Sequence, residues 1–560
     1  MTTKIVVIGA VAAGASAATK ARREDEHAEI ILFEKGPYAS FANCGLPYYI
    51  GGTIRERKNL FQVSNEYFHK RFNIDLRVNH EVIKINRKEK NVEVVNHQTG
   101  ESFNEEYDKL IVAVGGEVIK PPIEGVDSQK IFTLLTVPDA DEIREELQNE
   151  PESVVIVGGG YIGVETAEEL HHRGLKVILV EMMDQIIAPL DKEMTMPLVQ
   201  HLKELGIEII LSDGVRKFQE EGDMIKVTLQ SEREFDADFV ILATGVRPRL
   251  KLVKDAGLKV SEIGVVVNEF MQTSDPNIYA AGDIVESTHL VTGEKVRFAL
   301  AGPANKQGRI AGAHAAGKTK KKFKGVLGTS IVKVGDFTAA STGLNEKECQ
   351  KRNISYYSVY LDKGDHAGYY PGSEDLTIKL LVEEETGKLL GAQCIGRKSV
   401  DKQIDVFATA LQAKMTVEDL EDLDLAYAPP YSSAKGPVIM SGMIASNHLR
   451  YETDLISPQD LKSALEAEKD IQLVDVRTDR EYEEGYIGGA KHIPLNSLRE
   501  RIGELNPEKY TVVYCRKGYR GYLAYKILIA NGFDTVENLT GGILAWNRFS
   551  KDKELLIQDL

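Results

Sequence analysis

The chain has 560 residues, of which 42% are hydrophobic and 28% are charged, and its formal net charge is −16. The length suggests about three or four domains, and the acidic balance argues against nucleic-acid binding. No apolar run is long enough to cross a bilayer. Only four cysteines occur, and the first residues lead into a strand pattern without an export signal, so we expect a reducing, cytoplasmic setting.

The first elements of the chain predict a dinucleotide-binding unit. The β-branched run at residues 5–8 is typical of a buried parallel strand, and the loop at 9–14 leads from it into a helix. Val11 occupies the position of the middle glycine in G-x-G-x-x-G, so the loop alone also fits an ordinary strand-to-helix turn. A second strand ends at Glu34, where an acid can bind ribose hydroxyls while the pyrophosphate lies at the helix N-terminus.

A single cysteine, Cys44, lies in the stretch SFANCGLPY that follows this unit. No second cysteine is near, so a redox cycle must use a mixed disulfide, a persulfide or a sulfenic acid on Cys44. Gly45 and Pro47 predict a break in regular structure that brings the thiol to a helix N-terminus and lowers its pKa. A buried structural cysteine is the alternative interpretation.

A second dinucleotide-binding unit begins with the strand at residues 154–157. Its loop, GGGYIG at 158–163, matches G-x-G-x-x-G completely and stands between a strand and a helix. The next strand ends at Glu181, which predicts NADH rather than NADPH because a carboxylate repels the 2′-phosphate. Two such units predict two dinucleotides.

Two further strands complete these units. One covers residues 240–244 and is followed by Gly245, which closes the second unit. The other covers 278–281 and leads into Gly282 and Asp283, where we expect a helix to begin. Asp283 either caps that helix or binds the ribityl chain of a flavin, and the preceding units favour the flavin.

Together, these motifs resemble the pyridine nucleotide-disulfide oxidoreductases with one redox cysteine, and among them the coenzyme A-disulfide reductases, over about residues 1–448. The resemblance implies an α/β protein with two Rossmann-like nucleotide-binding domains and an α+β dimerisation domain. The FAD-binding domain is expected at residues 1–149 and 246–325, the NAD(P)H-binding domain at 150–245 and the dimerisation domain at 326–448.

The resemblance also implies cofactor and substrate contacts. FAD and NADH, with NADPH as the alternative donor, are expected to contact Gly9, Ala10, Val11, Ala12, Gly14, Glu34, Lys35, Val82, Ala113, Gly158, Gly160, Tyr161, Ile162, Gly163, Glu181, Gly245, Gly282, Asp283, Ala301 and Tyr427. Coenzyme A is expected to contact Ser16, Lys20, Arg23, Ser40, Asn43, Lys70, Arg71, Asn305 and Lys435. Lys70 and Arg71 are included because Phe72 stands where some relatives carry a lysine.

Two tyrosine-rich segments occur in the expected dimerisation domain, at residues 366–372 and 426–431. Tyrosines are favoured in interfaces, so interface packing is one interpretation. The resemblance implies a homodimer in which Tyr369 and Tyr427 reach the partner's cysteine. A phenol near a thiolate can donate a hydrogen bond or a proton to the leaving thiol.

The chain changes character after the dimerisation domain. Residues 446–457 are polar and predict a linker, and a new α/β unit follows. Its strand at 511–514 runs into the loop at 515–520, where Cys515 is followed by Arg516, Gly518 and Arg520. Backbone N–H groups and the two arginines there favour a thiolate or a persulfide anion. The region resembles an α/β rhodanese domain over about residues 455–557, and its six-residue loop suits sulfur rather than phosphate.

We therefore predict an FAD- and NADH-dependent reductase of coenzyme A disulfide, or of coenzyme A persulfide and polysulfide. Cys44 would be reduced, and Cys515 would carry sulfane sulfur. One alternative is an NADH oxidase or peroxidase with a sulfenic acid on Cys44. The other is a sulfur-transfer or redox-sensing protein whose reductase part is inactive.

Overall fold

The computed structural model describes residues 2–317 and 319–549. The described residues divide into two compact units: 187–201 and 329–549 form the second, and the other described residues form the first. Residues 550–557 of the predicted rhodanese domain lie outside the described residues. No helix within the described ranges combines the length and the apolar character needed to cross a bilayer.

The first unit contains two five-stranded parallel sheets. In spatial order, the strands of the first sheet are Ile278–Ala280, Lys109–Val112, Lys4–Ile8, Glu29–Glu34 and Asp75–Val78. Those of the second sheet are Glu208–Ile210, Lys176–Val180, Ser153–Val157, Phe239–Leu242 and Ile131–Thr133. The central strands are buried on both faces, as the unbroken apolar runs predict.

The strand Ile131–Thr133 belongs to the second sheet, although the predicted domain boundary assigns its residues to the FAD-binding domain. Ile131–Thr133 pairs with Phe239–Leu242 and so extends the second sheet, although the predicted FAD-binding domain includes residues up to 149. Ile131 is buried in the apolar core of the second sheet. The chain therefore enters the second sheet before residue 150.

Small sheets and helices complete the first unit. Its antiparallel strands are His80–Asn86, Asn91–Asn96, Ser102–Glu106, Val215–Glu221, Met224–Leu229 and Glu234–Ala237, with the two-stranded pairs Gly116–Val118 with Val246–Pro248 and Ser287–Thr288 with Lys295–Val296. Its α-helices are Ala12–Glu24, Leu46–Gly51, Asn65–Phe72, Val137–Glu146, Tyr161–His172, Lys251–Asp255 and Ala301–Ala315, while Lys192–Leu205 has residues in both units. Three short 3₁₀ helices cover Asn43–Gly45, Arg57–Leu60 and Leu147–Asn149.

The helices Ala12–Glu24 and Ala301–Ala315 pack backbone against backbone. A Cβ on Gly308 would clash with the carbonyl of Ala13, and a Cβ on Gly312 would clash with the carbonyl of Ala17. Only glycine allows this separation, because any side chain would force the helices apart. The contact fixes the helix that begins at the first dinucleotide loop.

The second unit contains an antiparallel and a parallel sheet. The antiparallel strands are, in spatial order, Ser330–Val334, Phe337–Gly343, Leu389–Gly396, Asp375–Glu383 and Tyr356–Gly364, and the helices of this part are Glu346–Lys351, Val400–Ala413, Val417–Glu421 and Pro437–Leu449. The parallel strands are Leu455–Ile456, Val536–Leu539, Thr511–Tyr514, Gln472–Asp475 and Lys491–His492. Around them lie the helices Pro458–Glu466, Asp479–Glu483, Leu498–Arg501, Tyr519–Ala530 and Gly542–Phe549, with 3₁₀ turns at Leu495–Ser497 and Ile502–Glu504.

The predicted linker at residues 446–457 is wrong at both ends. The helix Pro437–Leu449 continues through its first residues, where Ser446 is completely buried. At the other end, Leu455–Ile456 pairs with Val536–Leu539. The polar composition predicted a linker here. Because the helix continues to Leu449 and strand pairing begins at Leu455, only residues 450–454 connect the domain of the antiparallel sheet to that of the parallel sheet.

A buried ion cluster, which we call the Lys379 cluster, lies in the second unit. Lys379 Nζ lies 2.7 Å from Asp191, 2.5 Å from Glu193 and 3.1 Å from Glu346, and the side chain is fully buried. Burial disfavours its charge, but Tyr360 and the carboxylates together hold the pKa of Lys379 well above its usual value. The ammonium of Lys379 lies among the three carboxylates of Asp191, Glu193 and Glu346, and it supplies the positive charge that these buried acids require.

We predict that Lys379→Met lowers the free energy of unfolding by about 3 to 5 kcal/mol, because it leaves buried carboxylates without their cation. Burial raises the pKa of Glu346 to about 7. A carboxyl whose folded pKa is raised binds its proton more tightly when folded, so its contribution to stability falls as pH rises through that range. Lys379 lowers the pKa values of Glu193 and Glu346, so its removal raises them and the variant loses more stability than the parent as pH rises. The deficit of the variant is therefore smaller below pH 7 than above it, measured by chemical denaturation.

Lys398→Met is the matched control, since Lys398 forms an exposed ion pair with Glu374. It should leave the unfolding transition nearly unchanged. Equal destabilisation by both substitutions, or a deficit that grows on acidification, would contradict this account of the Lys379 cluster.

Candidate active sites

The first dinucleotide loop depends on two glycines. Gly9 has φ +94°, and a Cβ on it would clash with the carbonyl of Ala113. A Cβ on Gly14 would clash with the carbonyl of Gly9. Val11 is the N-cap residue of the following helix and provides no side-chain cap. The first backbone N–H groups of that helix are therefore available to an anionic group, as a pyrophosphate site requires.

Glu34 lies beside this loop. Its carboxylate accepts hydrogen bonds from the backbone N–H of Ala10 at 2.8 Å and of Gly36 at 2.9 Å. Burial raises its pKa, against the effect of these two hydrogen bonds. The acid is thus fixed at the end of the second strand next to the loop, which fits the predicted contact with ribose hydroxyls.

The other predicted FAD contacts in the first unit surround this strand edge. Ala12 begins the helix Ala12–Glu24, Lys35 follows Glu34, Val82 is buried on His80–Asn86, Ala113 follows Lys109–Val112, and Ala301 begins Ala301–Ala315.

The second dinucleotide loop has the same geometry with an additional open position. A Cβ on Gly158 would clash with the carbonyl of Ala243, and one on Gly163 with the carbonyl of Gly158, whereas a Cβ on Gly160 would meet nothing within 4 Å. Gly160 is the N-cap of the helix Tyr161–His172, with no side-chain cap. This open space at a helix N-terminus fits the diphosphate of a second dinucleotide.

Glu181 and Gly245 border the second loop. The Glu181 carboxylate accepts from the N–H of Gly159 at 2.6 Å and of Met183 at 2.7 Å. Gly245 has φ +92° and its carbonyl accepts from Ile119 at 3.0 Å. The predicted residues Tyr161 and Ile162 form the first turn of the helix. The carboxylate is thus fixed beside the second loop, which fits the predicted contact with ribose hydroxyls.

Asp283 does not begin a helix, contrary to the prediction. It lies in a turn after the strand Ile278–Ala280, and the preceding N–H of Gly282 donates to Gln307 Oε1 at 2.9 Å. Burial raises the pKa of Asp283, and the nearby Arg297 opposes that shift. Arg297 Nη1 is buried and has no hydrogen-bond partner within the described residues. A half-buried carboxyl beside a guanidinium with one unsatisfied nitrogen fits a site that a polar cofactor completes.

Cys44 lies in a short 3₁₀ helix, Asn43–Gly45, that leads directly into the helix Leu46–Gly51. Pro47 is in the first turn of that helix, where proline is tolerated, so it begins the helix instead of breaking it. Cys44 is exposed, yet protein atoms around the sulfur raise its pKa by desolvation, and the charges of Glu165 and Asp283 raise it further. The predicted lowering of the Cys44 pKa is therefore wrong, because the protein groups around the thiol raise it.

Glu165 links Cys44 to the second dinucleotide loop. It lies in the helix Tyr161–His172 and accepts a hydrogen bond from Tyr48 Oη at 2.9 Å. Burial raises the pKa of Glu165, and burial together with Glu165 raises the pKa of Tyr48. No motif in the sequence predicted a role for this acid. Its position two residues after the last glycine of the G-x-G-x-x-G loop was the available signal, because this helix begins beside the predicted dinucleotide site.

Of the predicted coenzyme A contacts in the first unit, two form a hydrogen-bonded pair, and the basic residues each interact with a residue of their own helix. Ser16 Oγ donates to Asn305 Oδ1 at 2.5 Å, which brings these two residues together. Four of the cations are engaged within their own helices: Lys20 pairs with Glu24, Arg23 donates to the carbonyl of Thr19, Lys70 pairs with Glu66, and Arg71 donates to Tyr67 Oη. Ser40 has φ +52°, and Asn43 Nδ2 donates to the carbonyl of Leu135 at 3.4 Å.

Tyr369 and Tyr427 lie together in the second unit. Their hydroxyl oxygens are 3.0 Å apart, and both side chains are exposed. This hydrogen bond raises the pKa of Tyr369. Lys435 is exposed in the same unit, and its carbonyl accepts from Ser433. Two phenols that the sequence separates by 58 positions thus form one polar pair at the surface.

Cys515 lies in the cradle that the sequence predicts. The residue is 2% exposed, and the N–H of Gly518, which has φ +104°, donates to its Sγ at 3.2 Å. Arg520 makes two 2.7 Å hydrogen bonds to Glu481 and also interacts with the Cys515 sulfur, while Arg516 is exposed. Arg520 holds the pKa of Glu481 low, at about 2. This glutamate, which the sequence analysis did not assign a role, orients the arginine next to the sulfur.

The first unit thus combines two dinucleotide loops with one exposed thiol, which defines a dinucleotide-dependent oxidoreductase. A family model described as pyridine nucleotide-disulphide oxidoreductase matches residues 3–319, and the corresponding dimerisation-domain model matches 329–437. A rhodanese-like domain model matches 457–549. The chain belongs to the pyridine nucleotide-disulphide oxidoreductase family, which confirms the predicted fold class, the flavin-dependent enzyme class and the cofactors FAD and NAD(H).

Individual relatives match most or all of the chain. The coenzyme A disulfide reductase of Staphylococcus haemolyticus is 37% identical over 441 residues, which cover 78% of this chain and 98% of that protein. The reduced CoADR-RHD protein of Bacillus anthracis is 44% identical, with a TM-score of 0.96 and 99% of both chains covered. The NAD-dependent persulfide reductase of A. fulgidus is 39% identical, with a TM-score of 0.90 and coverage of 97% of this chain and 100% of that one.

We predict that Glu165→Gln lowers the pKa of Cys44, because it removes a negative charge that disfavours the thiolate. The measurement is the pH dependence of iodoacetamide alkylation of the reduced enzyme, with Cys44 and Cys515 peptides quantified separately by mass spectrometry. The midpoint for Cys44 should move to lower pH, while the Cys515 peptide serves as an internal reference.

Glu169→Gln is the matched control. Glu169 lies in the same helix, but it accepts from Thr53 and does not contribute to the pKa shift of Cys44. An unchanged Cys44 midpoint in Glu165→Gln, or an equal shift in both variants, would show that Glu165 does not act on the thiol.

Proposed function

We propose that this protein is an NADH-dependent reductase that cleaves the sulfur–sulfur bond of coenzyme A disulfide, or of coenzyme A persulfide and polysulfide, at Cys44. The observation that carries the proposal is the pairing of two sulfur sites: an exposed Cys44 in the unit with both dinucleotide loops, and a cradled Cys515 in the rhodanese-like domain. The names of the matched relatives, coenzyme A disulfide reductase and NAD-dependent persulfide reductase, support it.

The reaction balances with NADH as the only reductant. Coenzyme A disulfide, NADH and one proton give two coenzyme A thiols and NAD⁺. Coenzyme A persulfide, NADH and one proton give one coenzyme A thiol, hydrogen sulfide and NAD⁺. When bound, FAD supplies the two-electron connection between the nicotinamide and sulfur.

Cys44 provides the nucleophile. Its thiolate attacks one sulfur of the substrate, forms a mixed disulfide or a persulfide on Cys44, and releases the other sulfur as a thiolate or hydrosulfide. Two electrons from NADH then return Cys44 to the thiolate. Because the surrounding residues raise its pKa, the thiolate depends on the loaded enzyme, in which positive groups or the cofactor must favour it.

Other residues of the chain bind and orient the dinucleotides, coenzyme A and the persulfide. The two helix N-termini bind the dinucleotide phosphates, Glu34 and Glu181 bind ribose hydroxyls, and the position of Glu181 favours NADH over NADPH. Ser16, Asn305 and the cations on neighbouring helices bind coenzyme A. Arg516, Gly518 and Arg520 hold an anionic persulfide on Cys515.

We further propose a homodimer in which the pair Tyr369–Tyr427 donates a proton or a hydrogen bond at the partner's Cys44. The match of a family dimerisation domain supports this assembly, and the exposed 3.0 Å phenol pair supplies the donor.

All four cysteines are free, which supports a reducing, cytoplasmic location.

We predict that Cys44→Ser lowers the rate of coenzyme A disulfide reduction by about a thousandfold or more, while NADH still bleaches the flavin absorbance. Cys515→Ser should reduce polysulfide-dependent NADH oxidation by about tenfold and leave coenzyme A disulfide reduction within about twofold of the parent. Steady-state NADH oxidation with each substrate, on the same preparations, measures both effects.

Retained disulfide reduction in Cys44→Ser would overturn the proposed mechanism. Equal losses for both substrates in Cys515→Ser would reduce the rhodanese-like domain to a structural role. Oxygen consumption faster than sulfur turnover in the parent protein would favour the NADH oxidase alternative.

We also predict subunit complementation. A Cys44→Ser chain and a Tyr369→Phe/Tyr427→Phe chain should each be inactive as homodimers, whereas their heterodimer contains one complete site and should have about half of the parental activity. Differently tagged chains, purified together and assayed with coenzyme A disulfide, provide the measurement. A monomer in solution, or no recovered activity in isolated heterodimers, would contradict a shared site.

A further inference from the structure

The rhodanese-like domain covers the open edge of the preceding antiparallel sheet. Tyr356–Gly364 is the edge strand of that sheet and pairs there only with Asp375–Glu383, among the strands of the described residues. The N–H of Tyr360 donates to Thr540 Oγ1 at 2.9 Å, and both residues are buried. A strand edge that would otherwise remain available for pairing is therefore occupied by the rhodanese-like domain.

A buried ion pair fixes the same strand to the last described helix. Arg548 donates to both carboxylate oxygens of Asp362, at 2.9 and 2.7 Å. Thr377 Oγ1 donates to the same carboxylate at 2.6 Å, and Asp362 is 6% exposed. Bidentate pairing with this extra hydrogen bond specifies one orientation of the two groups.

The contact around Tyr360 leaves no spare room. Gly541 has φ +70°, and a Cβ on it would lie only 2.7 Å from the Cβ atoms of Tyr360 and Ala545. Tyr360 is itself held by its hydroxyl, which donates to Glu193 at 2.8 Å in the Lys379 cluster. The docking surface is defined as Tyr360, Asp362, Asp375 and the rhodanese residues they contact; it is tightly packed at Tyr360, whereas Asp375 lies at its exposed border.

The segment that docks also holds the sulfur loop. At the start of the helix Gly542–Phe549, Ile543 N donates to the carbonyl of Cys515 at 2.8 Å and Leu544 N donates to the carbonyl of Arg516 at 3.3 Å. Arg548, near the other end of this helix, is the residue bound to Asp362. Within the sulfur loop itself, Lys517 Nζ lies 2.5 Å from Asp375 of the antiparallel sheet.

We infer that the docking surface holds Cys515 in one orientation against the antiparallel sheet while its sulfur passes to a small thiol carrier, so that the rhodanese-like domain stays in place during this step. Asp362 and Asp375 are positioning residues, since they act on Cys515 through Arg548 and Lys517. The inference rests on the proposed function, in which sulfur bound at Cys515 is passed on for reduction by NADH.

The transfer step needs no added oxidant or reductant. The carrier thiolate, such as that of coenzyme A, attacks the outer sulfur of the Cys515 persulfide. A sulfur–sulfur bond forms on the carrier while the bond to Cys515 breaks, so that a carrier persulfide anion and a Cys515 thiolate result. NADH then reduces the carrier persulfide at Cys44 to thiol and hydrogen sulfide.

The test compares Asp362→Asn/Asp375→Asn with the parent in three assays on the full-length holoenzyme. Thiosulfate-to-cyanide sulfur transfer reports on Cys515 alone, and coenzyme A disulfide reduction reports on Cys44 alone. Inorganic polysulfide with catalytic coenzyme A and NADH reports on the coupled reaction. We expect the coupled rate to fall by roughly tenfold, while the two separate reactions stay within about twofold.

Limited proteolysis at residues 450–454 supplies a readout apart from activity. Cleavage should be faster in the double variant, because its docking contacts are weakened. Asp375→Asn alone, at a partly exposed position, keeps the test valid if the double variant folds poorly. Glu374→Gln is the matched control, since Glu374 pairs with Lys398 and not with the rhodanese-like domain.

The outcomes separate the two proposals. A coupled rate that is unchanged or higher in a variant with faster cleavage would show that the domain moves during transfer, and would overturn the inference alone. Unchanged cleavage would show that these contacts do not hold the domain, which also overturns it. A parental coupled rate that does not require Cys515 would overturn the proposed sulfur route, and the inference with it.

Discussion

Direct backbone-to-backbone contact at glycine is the constraint on which the reactive parts of this protein depend. At Gly9, Gly14, Gly158 and Gly163, a Cβ would clash with a carbonyl, so each helix can begin close to its sheet. The same rule applies beside Cys515, where a Cβ on Gly542 would clash with the cysteine's own carbonyl. The three candidate anion-binding sites thus depend on close main-chain packing at glycine.

Charges away from these loops have a different role. In the Lys379 cluster and in the Asp362–Arg548 pair, largely buried charges meet at short distances. Such pairs contribute little net free energy compared with apolar packing, but they tolerate only one arrangement. The strand Tyr356–Gly364 contributes to both, so it joins the interior of the antiparallel sheet to the rhodanese-like domain as one ordered structure.

Local signals predicted the strands, the two loops and the sulfur cradle, because β-branched runs and glycine spacing depend on neighbouring residues. The Cys44 environment could not be predicted in this way. Its pKa depends on Glu165 and Asp283, which folding brings near from distant parts of the chain. The linker prediction was wrong for a similar reason: Ser446 is polar in sequence, but tertiary packing buries it. The helix expected at Asp283 is replaced by a turn that Gln307 stabilises from another helix.

The covered strand edge has a consequence for how such a fused protein is cut or evolves. A chain ending near residue 449 would leave Tyr360 without its acceptor and Asp362 without its cation, and an exposed edge strand promotes intermolecular pairing and aggregation. In this sheet, loss of the terminal domain therefore requires substitutions that protect the edge of Tyr356–Gly364 by other means.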